Sequence, residues 1–97
     1  MPAPIRLARE APFRLGNVSV QPATRQVVHN GRNETVEPRI MQVLVALHQA
    51  GGRVVSRDEL IARCWEGRVV GEDAINRAIS RVRDLGRSLN DAFQLET

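Results

Sequence analysis

Lysine and tyrosine are absent from this 97-residue chain, and cysteine and tryptophan occur once each. One thiol, Cys64, excludes an internal disulfide framework. The two histidines, His29 and His48, lie far apart, so with Cys64 they make no zinc-ligand spacing and no metal is expected. No run is long and apolar enough for a membrane span or a leader peptide, and there is no repeat or low-complexity tract. A glycine-rich phosphate cradle is also missing, because the paired Gly51-Gly52 reads as a helix cap. Cys64 beside His48 is the one formal nucleophile pair, and buried structural roles for both outweigh it. These absences exclude most catalytic classes and leave a non-enzymatic domain with no cofactor or small-molecule substrate, placed in the reducing cytoplasm.

With three aromatics, Phe13, Trp65 and Phe93, the core has to be aliphatic. Hydrophobic residues make up 42% and charged residues 26%, an ordinary globular balance, and the length suits one modest core and not two. All fourteen basic residues are arginine, against eleven acids, for a formal net charge of +3. The excess is mild, but every cation is a planar fork suited to phosphate and guanine.

The most informative stretch is Gly71 to Leu89. At about 100° per residue, Ile75, Ala78, Ile79, Val82, Leu85 and Leu89 fall on one stripe. Asp73, Arg77, Ser80, Arg81, Asp84 and Arg87 fall on the other, with Asn76 and Arg83 on its flank. Guanidinium, amide and hydroxyl groups pointed outward are the means of reading base edges and phosphates. Taken alone, the same face reads more readily as a solvated one laced with salt bridges.

Upstream, the first dozen residues carry three prolines and predict a flexible arm over residues 1–12, or at best a short edge strand. Residues 13–37 predict an antiparallel sheet of three or four strands. Gly16-Asn17 and the break at Pro22 separate strand-like runs, Asn30-Gly31 suits a tight hairpin, and Thr35 to Glu37 would be the returning strand. At Pro38 the period lengthens to that of a helix over 38–51, with Met41, Leu44, Leu47 and His48 on a buried stripe, widened by Ile40, Val43 and Val45, and capped by Gly51-Gly52. Val54-Val55 would be a bridging strand. Ser56-Arg57-Asp58-Glu59 is a capping box with Val55 and Leu60 as its staple, opening a second helix over 56–66. A loop, EGRVVG, leads to the arginine-bearing helix over 72–89.

Sheet, helix, bridging strand, capped helix, loop and polar-faced helix form an α+β winged helix-turn-helix order. The runs VEPRIMQVLVAL, GGRVVSRDELIARCW and GRVVGEDAINRAISRVRDLG resemble the DNA-binding domain of OmpR/PhoB-type transcriptional regulators, and within it the CadC/ToxR-like branch. The resemblance spans roughly Phe13 to Thr97. It implies that the third helix enters the major groove of double-stranded DNA, with Asn76, Arg77, Ser80 and Arg81 toward bases. It places Ser56, Arg57, Arg83 and Arg87 at phosphates, and offers the loop holding Arg68, Val69 and Val70 as a surface for RNA polymerase; Arg68 could equally meet DNA there, and an idle solvent arginine is the more ordinary expectation for it than either. For Arg83 an ion pair with an acid of the sheet or first helix is an equal expectation.

Relatives of this kind close with a hairpin bearing a Gly-Tyr-Arg-like signature, whereas this chain ends at Phe93 to Thr97. Residues 93–97 would thus be a first wing strand with an unpaired edge, open to self-association, and the chain would be a piece of a longer regulator, in that branch often a membrane-anchored one. The second functional reading is a winged-helix protein-interaction module that has lost DNA binding.

Overall fold

The computed structural model describes residues 5–15, 18–29, 31–51, 53–65, 70–84 and the backbone of 94–95. Strands β1 (Phe13–Leu15), β2 (Val18–Gln21), β3 (Gln26–His29) and β4 (Arg32–Thr35) form an antiparallel sheet in that order. Helix α1 spans Pro38–Gln49, β5 Val54–Val55, α2 Arg57–Cys64, α3 Glu72–Asp84 and β6 Gln94–Leu95.

Alternation decides the sheet. Leu15, Val18, Val20 and Val27 are buried on its inner face, and Val20 lies opposite Val27 in register. The turn at Pro22 closes through Arg25 N–H to the Pro22 carbonyl at 3.1 Å. Arg25 adopts φ +58° there, an uncommon conformation for a side-chain-bearing residue. The last strand corrects the expectation from sequence. It returns directly after a two-residue turn, with His29 opposite Arg32, so β4 is Arg32–Thr35 and not Thr35 to Glu37. Gly31 at φ +77° meets the demand of that turn, and Asn30 lies outside the described residues.

Helix α1 is the hub. Pro38 sits in its first turn, and Ile40, Met41 and Val43 through Leu47 are all buried. It packs against α2, α3, β1 and a single 3-10 turn at Leu7–Arg9. Gly51, at φ +61°, receives the chain as α1 ends, its N–H on the His48 carbonyl at 3.1 Å. The expected Gly52 half of that cap is outside the described residues. His48 corrects the sequence reading: it is exposed, with its ring stacked on Phe13 at 4.0 Å between centroids. Its position at the end of α1 puts it past the packed stripe.

The segment before β1 also departs from a free arm. Ile5 is buried, its N–H donates to the Arg63 carbonyl at 3.0 Å, and its own carbonyl accepts from Gln42 Nε2 at 3.2 Å. Glu10 accepts from Gln49 Nε2 at 2.6 Å. Burial of Ile5 explains why the segment before β1 docks.

Ser56 caps α2, its Oγ accepting from Glu59 N–H at 3.1 Å, a contact of about 1 kcal/mol. The reciprocal half of the capping box is replaced. The Glu59 carboxylate takes both ends of the Arg53 guanidinium, at 2.9 and 2.7 Å. That hydrogen bond, and then the charge, hold Glu59 below its ordinary range. The associated stability is present at neutral pH and is lost as pH falls through the Glu59 titration. β6 is shorter than the expected 93–97 strand and has a partner on one side, its other edge remaining without a strand partner among the described residues. It pairs in parallel with β5, Val54 opposite Gln94 and Val55 opposite Leu95, because the β-branched pair at 54–55 offers a ready ladder.

Leu44 is fully buried at the centre of α1. Leu44→Ala is expected to lower unfolding free energy by about 2–5 kcal/mol in a denaturant titration, whereas a loss under about 1 kcal/mol would place the packing centre elsewhere.

Candidate nucleic-acid interface

Helix α3 buries Ile75, Ala78, Ile79 and Val82, one turn apart or nearly so, against the α1 side of the core. The remaining circumference is polar and outward: Asp73, Asn76, Arg77, Ser80, Arg83 and Asp84 are all exposed. Glu72 and Asp73 lie in its first turn and Arg81 and Arg83 in its last, the charge order that suits the helix dipole. Asp73, Asn76, Arg77 and Ser80 line one shallow depression on this face. A groove between α3 and the start of α1 continues it, passing Arg77, Ser80 and Arg81 on one wall and Arg39 and Trp65 on the other.

The expected site residues do not all point the same way. Arg77 is exposed, its Nε only 3.4 Å from the Asp73 carbonyl, so the fork itself is presented. Ser80 stands beside it. Arg81 is turned toward the sheet, its Nη2 2.6 Å from Glu34 Oε2. The ion pair that the sequence allowed for Arg83 is therefore made by Arg81. Ser56 accepts the Glu59 N–H as its cap, with the hydroxyl proton still a donor.

Arg57, expected at a phosphate, is instead laid across onto α3: its Nη2 donates to Asn76 Oδ1 at 2.8 Å, while Nη1 is buried with no hydrogen-bond partner. The cause is its place at the first residue of α2, from which the side chain spans the gap between the two helices. Val70 is half-buried and packed on the core, which withdraws it from the loop surface. Arg68, Val69 and Arg87 lie outside the described residues, as do Leu85, Leu89 and the rest of the expected helix to residue 89.

Two contributors escaped the sequence reading. Glu34 is opposite Val27 in register, so it shares the inner side of the sheet, at the open edge strand, within reach of Arg81. Finding it required the correct start of β4. Arg39 lies over the Trp65 ring, 5.1 Å from the centroid, and donates to the Cys64 carbonyl, bracing the start of α1 against the end of α2.

Burial pushes the Cys64 thiol up to about 12, while His48 is on the surface with Phe13. Among the described residues, no group of three His, Cys, Asp or Glu side chains is placed to hold a metal, and no helix is long and apolar enough to cross a membrane.

A four-stranded antiparallel sheet ahead of three helices, with a polar-faced third helix braced on the second, defines a winged helix-turn-helix domain of the OmpR/PhoB type. The chain belongs to the family described as "Transcriptional regulatory protein, C terminal", which matches residues 31–92. It is 40% identical over 78 residues to the transcriptional activator CadC of Escherichia coli K12, covering 80% of this chain and 15% of that protein. It is 34% identical over 55 residues to the protein PsaE of Yersinia pseudotuberculosis, 57% of this chain and 26% of that one. The chain therefore spans a minor part of the length of both relatives.

Its fold is similar to that of the DNA-binding domain of E. coli CadC, with a TM-score of 0.69 and 39% identity over 74% of this chain and 67% of that one. The Klebsiella pneumoniae RstA DNA-binding domain, solved in complex with the RstA box, has the same fold at a TM-score of 0.62 and 24% identity, over 84% of this chain and 78% of that one.

Two outcomes follow from the geometry. The Glu34 and Arg81 side chains are 49% and 42% exposed, so a double-mutant cycle on Glu34→Ala and Arg81→Ala should give a coupling below about 1 kcal/mol in unfolding free energy; a larger value would mean that the pair holds α3 in place. Cys64, whose folded value lies above its ordinary 9.0, should remain a thiol, so alkylation at pH 8 should proceed no faster than unfolding exposes it. The linked stability is intact below pH 9 and falls as pH rises toward 12.

Proposed function

We propose that the chain is the DNA-binding domain of a transcriptional regulator that lays α3 in the major groove of double-stranded DNA. One observation carries the reading: α3 exposes Asn76, Arg77, Ser80 and Arg83 together, while Ile75, Ala78, Ile79 and Val82 are buried on the other side. Arg77, Ser80 and Asn76 form the base-reading set. Arg77 suits a bidentate contact to guanine O6 and N7, and Ser80 can donate or accept beside it. Arg81 joins them by exchanging Glu34 for an acceptor on the duplex. Arg83, and Arg87 beyond the described residues, serve the phosphates flanking the groove, and the exposed amides at the start of α2 beside Ser56 serve another.

CadC and RstA support this assignment through their named DNA-binding domains. The loop before α3, with Arg68 and Val69, is the surface assigned to RNA polymerase by family resemblance. The domain works without catalysis or cofactor, on the cytoplasmic side of any membrane to which its parent protein is attached.

The test is duplex binding across salt and sequence. Affinity should fall with a logarithmic slope of about −0.9 per neutralised phosphate. Arg77→Ala should flatten base preference at one pair by roughly ten-fold or more with little change in that slope. Binding that ignores both salt and sequence would assign the domain to protein contacts instead.

A further inference from the structure

The Arg57–Asn76 contact fixes more than the packing of α2 on α3. A guanidinium carries five N–H donors and no acceptor, so the amide atom that faces Arg57 Nη2 at 2.8 Å has to be Oδ1. The orientation of the Asn76 amide, ambiguous from shape alone, is thus set by chemistry. Asn76 is otherwise exposed on the polar face of α3, and the half of the amide left over is Nδ2, with two donors. Arg57 is not a surface fork that happens to graze it, because its Nη1 is shut off from solvent without a partner. The guanidinium is half-buried, its Nη1 covered and its Nη2 held on the surface-exposed Asn76 amide.

A carboxamide whose oxygen already accepts from a cation is polarised: its N–H groups donate more strongly and its oxygen is a poorer acceptor for a second bond. An unconstrained asparagine pairs with adenine by accepting from N6 while donating to N7. With Oδ1 committed, the accepting half is weakened and the donating half is favoured. Resting on the reading of α3 as the groove-entering helix, we infer that Arg57 is a positioning residue that makes Asn76 a donor, so that this position selects guanine, whose O6 and N7 both accept, over adenine, whose N6 donor sits beside its N7. The inference replaces a phosphate role for Arg57 with a specificity role exerted through another side chain.

Three variants and two readouts test it. In selection from a random duplex pool, the unsubstituted chain should disfavour adenine at one base pair by roughly ten-fold. Arg57→Met should shift that same pair toward adenine, and should have no further effect there once Asn76→Ala is present. Asn76→Asp keeps a partner for Arg57 and replaces both donors by the free Oδ2 acceptor, so it should lose the guanine preference and move toward cytosine, whose N4 amine donates, even if Arg57→Met fails to fold.

Independently of DNA, the Asn76 side-chain amide resonances should move toward free-asparagine positions in Arg57→Met. Uniform weakening on all duplexes, with a salt slope smaller by about one phosphate, would overturn the inference in favour of a backbone contact. Unmoved Asn76 resonances would overturn it while leaving DNA recognition by α3 intact. Absence of any sequence preference in the unsubstituted chain would overturn the DNA reading itself.

Discussion

The orientation of α3 depends on α1 being apolar over most of its circumference. Ile40, Met41 and Val43 through Leu47 cannot be satisfied by one neighbour, so the helix has to be covered by the sheet on one side and by α2 and α3 on others. Burial of this kind is non-directional, and it leaves open which side of α3 faces in. That choice is made by α3 itself. Turning it so that Arg77 or Asn76 entered the core would strand polar groups in an apolar site at a cost of several kcal/mol, while Ile75, Ile79 and Val82 would be exposed. The presented face is thus a consequence of core formation and requires no bound partner to set it.

Arginine serves two purposes here, and only one of them shows in the charge count. Arg39 braces Trp65 and the Cys64 carbonyl, Arg53 takes Glu59, Arg57 takes Asn76 and Arg81 takes Glu34. In each case a long stem spans between elements and a flat fork meets a defined acceptor, which a lysine ammonium does less well. A chain of this size with few aromatics gains from such struts, since aliphatic packing constrains helix separation more than it constrains side-chain direction. The consequence for the surface is that net charge overstates what is free to meet an anion. Position on α3, and not the number of cations, identifies the face.

How much of this was legible in the sequence varied with the range of the interaction. Period and capping are local, so the α1 stripe, the Ser56 cap and the split of α3 into Ile75, Ala78, Ile79, Val82 against Asn76, Arg77, Ser80 could be read directly. Register is not local. Placing the last strand of the sheet at Thr35 and not at Arg32 hid the fact that Glu34 lies opposite Val27, because it left Glu34 outside the strand and so without a face. The pairing of β6 with β5 joins residues some forty positions apart, and no turn signal announces it. Arg57 looked like a phosphate anchor because sequence gives its position at a helix start but not which way a flexible stem leans. Outside the described residues, Arg68, Val69 and Arg87 keep only the standing that resemblance gives them.

These partnerships also rank the candidates for DNA contact. A group that already has an acceptor gains from a phosphate or base only the difference between the two bonds, whereas a group facing water gains the desolvated contact against a solvated start. Arg81 has to release Glu34 at 2.6 Å, and Arg57 would have to leave Asn76 and pull a buried nitrogen outward. Arg77 gives up little, a 3.4 Å approach to a backbone carbonyl. Glu34 meanwhile answers a need of the sheet, since a charged inward-pointing residue on an edge strand discourages pairing with other chains. Its pairing with Arg81 is explained by sheet protection before any role in recognition is invoked, so Arg77 ranks ahead of Arg81 among the candidates for DNA contact.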